Sequence, residues 1–442
     1  MVPGVPRALV SAVGNAMHEL YFFAARMGLR EIVAWTRVTV DAALRGRAAA
    51  ATAPAPAHVA EARDIRLDLF RGLALWFIFL DHIPGNVASW ITLRNYGFSD
   101  ATEIFVFISG YTAALVYGKA MRRHGAIEGG ARILKRAWQI YVAHLFLLVI
   151  YAALVAQAAA STGHPQFIDK YGLAGFFKQP DFMFVQALLL RFKPVNMDVL
   201  PMYIAVMAAF PPVLWLLLRR ADAALIGSLA LYALARRGGW NLASASGGTW
   251  YFNPFAWQLL FVFGAWCALG GAERLGALIR SRLLAGAAAA YLLFALAIAM
   301  TWHVHALGDF VPTWLAALIY PIDKTNLDVL RIAHFLALAL VIVRWVGRDA
   351  PILKSPLMRP VTCCGMHSLE IFCLGVVLSF AAHVALVEAA GGPALQILAS
   401  AAGIATMVAV ATLIAWWGGI DEQKRARSAT DGALEPAILA RA

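Results

Sequence analysis

The sequence predicts an all-α polytopic membrane protein with about ten transmembrane helices. Three observations carry that expectation. The chain is 61% hydrophobic and 14% charged, with a mean hydropathy of +0.70. A soluble domain of 442 residues cannot hide so much apolar surface. The apolar residues fall in runs of bilayer-spanning length. The charged residues cluster between those runs, as connecting loops require. The net charge of +12 does not point to nucleic acid, because the basic residues punctuate hydrophobic runs and read as membrane anchors.

Residues 1–62 are not a span. "AMHELYFFAARMGLREIVAWTRVTVDAALRGR" mixes apolar residues with Glu19, Arg26, Arg30 and Arg37. That pattern suggests an amphipathic helix on the cytoplasmic membrane surface. "AAAATAPAPAHVAEA" then reads as a linker. A cleaved signal peptide is not expected, because no uninterrupted apolar stretch follows the first basic residue. Residues 63–420 form the expected transmembrane domain and 421–442 a cytoplasmic tail. By length and apolarity the spans fall near 69–93, 101–120, 137–160, 198–218, 222–237, 254–272, 284–303, 327–346, 366–390 and 395–418.

Loop charge supports an even number of spans. With the N-terminus cytoplasmic, the inside loops hold twice as many basic residues as the outside segments. Both termini are then inside. The outer segments differ in character. "ARRGGWNLASASGGTWYFNP" and "TWHVHALGDFVPTW" set tryptophans and a tyrosine among small polar residues. Such rings suit stacking on sugar faces, and they equally fit the interfacial aromatic belt of membrane proteins. Cys267, Cys363, Cys364 and Cys373 sit in or beside apolar segments without metal-ligand spacing and read as packing residues.

Ionisable groups inside a span are costly and are candidate functional groups by default. In the first span Arg71 and His82 are eleven residues apart. Eleven helical steps come within about 20° of three full turns, so the two share a face, about 16 Å apart along the axis. Arg71 then lies at the cytoplasmic mouth and His82 towards the outside. An arginine there can hold phosphate or carboxylate groups. A histidine can take the proton of an attacking hydroxyl. Gly72 permits close approach of a neighbour, and Pro84 can kink or end the helix. Asp81 points roughly 100° away from His82 on a regular helix. Glu103, opening the second span, is the expected partner of His82. Ser109-Gly110 fits a small-residue helix contact better than a nucleophile.

Together "RLDLFRGLALWFIFLDHIPGN", "SDATEIFVFISGY" and "RILKRAWQIYVAH" resemble the opening of the membrane acyltransferase-3 superfamily. "NMDVLPMYIAVM", "NPFAWQLLFVFG", "KTNLDVLRIAHFLALAL" and "HSLEIFCLGVVLS" resemble its OpgC branch, the succinyltransferases of osmoregulated periplasmic glucans. The resemblance covers about residues 63–418. It implies an acyltransferase-3-like bundle in the bacterial inner membrane that moves an acyl group, succinyl in the best-known members, from a cytoplasmic acyl-CoA donor to glucan hydroxyls in the periplasm. It makes succinyl-CoA a cosubstrate, with no permanently bound cofactor and no metal. The partners become the glucan, the lipid bilayer and glucan-synthesis proteins. It implies His82 as catalytic base, to which the packing argument above adds Glu103. Arg71, Arg132, Lys135 and Arg136 become donor-binding residues. Asp81, Asn86, Asp198, Arg331 and His334 are expected to wall the acceptor-side cavity, with Asn86 or Arg331 as oxyanion donors; each could equally serve as a structural hydrogen bond across helices. The competing reading is a transporter of an anionic metabolite or sugar, since in-span Arg, His and Asp also line transport paths. Against it, the two halves hold no inverted repeat or matched broken spans.

Overall fold

The computed structural model describes residues 64–347 and 350–439; the segment expected to lie on the membrane surface, 1–62, falls outside them. Among the described residues the regular structure is helical, apart from an isolated bridge between Ala243 and Thr249. The main helices are α1 (Ile65–Asp81), α2 (Ala101–Thr162), α3 (Val199–Arg219), α4 (Ala221–Gly238), α5 (Pro254–Trp266), α6 (Arg282–His303), α7 (Val329–Trp345), α8 (Arg359–Met366), α9 (Ser368–Glu388) and α10 (Pro393–Leu439). Three short helices between Gln166 and Leu188 link α2 to α3.

Six helical segments are long and apolar enough to cross a membrane: Ala101–Thr162, Val199–Arg219, Pro254–Arg274, Arg282–His303, Ser368–Glu388 and Pro393–Gly418. Helix is present within each of the expected spans. Two boundaries differ from expectation. The first span, expected over 69–93, stops at Asp81. Pro84 lacks an amide proton and disfavours helix in the residue before it. Short 3₁₀ turns, Val87–Ile91 and Leu93–Asn95, follow. The basic segment expected as a loop after the second span is instead helical. α2 runs on both sides of one break, Gly125, whose φ of 87° and ψ of 169° lie outside helical space.

Local chemistry sets the helix starts. Asp64 caps α1 by accepting from the Arg66 amide at 3.1 Å. Asp100 and Glu103 form a reciprocal capping box on α2. Asn253 caps α5, with Pro254 in its first turn.

Glycines let the central helices touch backbone to backbone. A Cβ on Gly110 would sit 1.9 Å from the Phe261 carbonyl oxygen, and one on Gly264 would sit 2.1 Å from that of Phe107. α2 and α5 therefore meet through a reciprocal pair of small residues, as the Ser109-Gly110 reading anticipates. α1 and α8 repeat the device. A Cβ on Gly72 would sit 2.0 Å from the Val361 carbonyl oxygen, and one on Gly365 would sit 1.8 Å from that of Asp68. These contacts fix α1 and the head of α2, which carry the candidate site, into the core.

Candidate active site

The site begins where α1 ends. The Thr92 hydroxyl donates to Asp81 Oδ1 at 2.7 Å, folding the 3₁₀ turns back onto the helix end. Asn86 pins the same corner. Its Oδ1 accepts from the Ala88 amide at 3.1 Å, while its Nδ2 donates to the Leu80 carbonyl at 3.3 Å and to Ser400 Oγ on α10 at 3.0 Å. The Asn86 amide is thus committed to structure, which corrects its expected part as an oxyanion donor. The His82 ring stands in this corner, and its buried Nδ1 has no hydrogen-bond partner among the described residues.

Glu103 does not serve His82 as expected. It is fully buried and faces Arg331, with Arg331 Nε donating to Oε1 at 2.7 Å; its Oε2 accepts from the Asp100 amide at 2.9 Å. Asp100 receives Arg331 Nη2 at 3.1 Å and Lys324 Nζ at 2.6 Å. Two carboxylates at the head of α2 thus hold two cations from distant parts of the chain. Arg331 is spent on this pairing, because burial of a guanidinium requires it. Lys324 keeps more exposure than Arg331, 26% against 9% of the side chain. It lines the same cavity as His82.

A cavity of about 1330 Å³ opens over this corner. It brings together His82, Asp81, Asn86, Asp198, Arg331 and Lys324. Asp81 and His82, adjacent at the end of α1, both line it. Its charged lining is balanced: Asp81, Asp100 and Asp198 against Arg94, Lys324 and Arg331. His334 is not in the wall, contrary to expectation. It lies behind it, with Nδ1 meeting the Ser99 hydroxyl at 2.7 Å and its Nε2 edge filling the space beside Gly97. Beside Asp198, Lys193 lies 4.2 Å from the Trp250 ring centroid. Burial lowers its ammonium from the ordinary value, and Asp198 opposes that shift.

A second cavity, about 130 Å³, lies towards the other end of α1. Arg71 and Arg136 line it, with Ser109, Thr112, Tyr117 and Tyr203. Among the described residues its wall holds no carboxylate. Arg71 is buried and donates to the Thr112 hydroxyl at 2.7 Å. Of the basic segment expected to bind the donor, Arg136 alone reaches this cavity. Arg132 is exposed and paired with Glu128 at 2.6 Å, and Lys135 is exposed. Both cavities are bordered by Val199 at the start of α3.

Sequence reasoning missed Lys324 and, among the aromatic rings of the larger cavity, Trp90 and Tyr320; Tyr251 and Trp302 lie in the segments read as suited to sugar stacking. Lys324 carries one faint signal, being the single lysine in the polar stretch between α6 and α7.

No curated protein and no solved structure matches the chain. The family model described as OpgC protein matches residues 63–419, from just before α1 into α10. With most of its length covered by that match, the chain belongs to the OpgC family, and membership supports a glucan-modifying, acyltransferase-like role.

Proposed function

We propose that the protein is an integral membrane O-acyltransferase. It moves an acyl group, succinyl by family likeness, from acyl-CoA at the Arg71 cavity to a hydroxyl of a glucan in the His82 cavity. One observation carries the reading: two chemically different cavities sit at opposite ends of the same short helix. A cationic pocket suits the phosphates or carboxylate of an activated anionic donor. A large, charge-balanced, hydrogen-bonding cavity suits a neutral polyhydroxyl acceptor. That balance speaks against a transport path for anions, which would keep a cationic excess throughout.

In the mechanism, His82 accepts the proton of a glucan hydroxyl as its oxygen attacks the thioester carbonyl. The tetrahedral intermediate carries its negative charge near the Lys324 ammonium. The carbon–sulfur bond then breaks, the ester forms, and the CoA thiolate takes the proton from His82. No covalent acyl-enzyme is required. The basic bias of the loops puts the Arg71 end in the cytoplasm of a bacterial cell and the His82 end in the periplasm. Glucan-synthesis proteins are the natural neighbours in that membrane.

The test is transfer of labelled succinyl from succinyl-CoA to glucan by the purified protein. His82→Ala is expected to lower the rate by about 10²- to 10⁴-fold. Equal transfer by wild type and variant would overturn the assignment.

A further inference from the structure

The tryptophans and tyrosines of the outer segments divide into two sets. Trp90, Tyr251, Trp302 and Tyr320 line the larger cavity and still expose 44%, 50%, 39% and 42% of their surface. Trp240 and Trp314 are as exposed, at 50% and 67%, but lie outside it. A general interfacial belt explains the second set. It does not explain why rings from three remote segments converge on one polar cavity.

The cavity set is held in place. Trp302 Nε1 donates to the Tyr320 hydroxyl at 2.5 Å, locking the end of α6 to the segment before Pro321. Trp90 packs on the His303 ring with centroids 4.3 Å apart. Tyr251 lies edge-on to Phe252, 5.0 Å between centroids. Hydrogen-bonding side chains lie among these rings: Ser89, Arg94, Asn95 and Asn196. Fixed, exposed aromatic faces beside donors and acceptors match the two surfaces of a hexose, an apolar C–H face and a hydroxyl-bearing rim. A polyanion would find no excess of positive charge.

We infer that Trp90, Tyr251, Trp302 and Tyr320 form a carbohydrate-stacking subsite that seats hexose units of the glucan and presents a hydroxyl to His82. The inference rests on the glucan reading and adds the residues that grip the acceptor. They act on binding and not on the acyl step.

Calorimetric titration of the full-length protein with neutral gluco-oligosaccharides of increasing length tests it, alongside acyl-transfer kinetics. Trp90→Ala and Trp302→Ala are each expected to weaken binding between about threefold and tenfold. They raise the acceptor KM to match, with kcat and the acyl-CoA KM unchanged. Trp302→Phe recovers most of the loss, while Trp240→Ala and Trp314→Ala behave as wild type. Oligosaccharide binding unchanged in both cavity variants, or no binding by the wild type, overturns the subsite. Normal binding that is lost in the cavity variants, with no acyl transfer by the wild type, upholds the subsite and overturns the acyltransferase reading.

Discussion

The cavity at the His82 end of α1 and the cavity at its Arg71 end are opposites in size and charge. The first is about 1330 Å³, polar, ringed by aromatics and electrically balanced; the second is about 130 Å³ and carries two arginines with no facing carboxylate among the described residues. The difference teaches that one helix can divide recognition between its ends. Charge selects what enters the small cavity, and shape with hydrogen bonding selects what enters the large one. Variants should therefore separate donor effects from acceptor effects.

The largest separation is expected from Lys324→Met. It removes a cation of the His82 cavity and lowers kcat by about 10²-fold, with the acyl-CoA KM unchanged. Lys324→Arg keeps a charge for Asp100 and retains part of the rate. If kcat falls only in proportion to a loss of folded protein, read as a drop in Tm, Lys324 is structural and not chemical. Next comes Arg71→Ala, which raises the acyl-CoA KM by about tenfold to a hundredfold and leaves the glucan KM alone. An equal rise in both KM values would show that the cavities are not independent sites. The smallest effect belongs to Arg132→Ala. Its guanidinium is exposed and paired with Glu128, outside the small cavity, so the acyl-CoA KM should move by less than about twofold. A larger change would extend the donor site out along the basic part of α2.

The helices are legible in the sequence because apolar length and loop charge are local properties. The end of α1 was legible in outline, since Pro84 offers a stop, although apolarity carries the expected span past it. Arg71 and His82 stand out because a charge within an apolar run demands a reason. The pairings are another matter. Glu103 has a helical neighbour in the first span and a cation more than two hundred residues away, and only tertiary packing decides for Arg331. Asn86 lines the cavity with its amide already bonded to Ser400, and His334 lies behind the wall against Ser99. Lys324 stood unnoticed for the converse reason, as an ordinary loop lysine until folding sets it on Asp100.

Among the described residues Val199 alone borders both cavities, a branched apolar side chain in the first turn of α3. A membrane that stores ion gradients cannot tolerate an open aqueous pore, yet acyl transfer from one face to the other needs a passage. On the proposed function, an apolar residue between the two cavities would answer both demands. Water and hydrated ions are excluded from a constriction of this kind, whereas a thin thioester arm carries its own apolar atoms and can replace the contacts that it displaces. On the proposed function, the residue shared by the two cavities is also one that the donor's arm would pass on its way to His82.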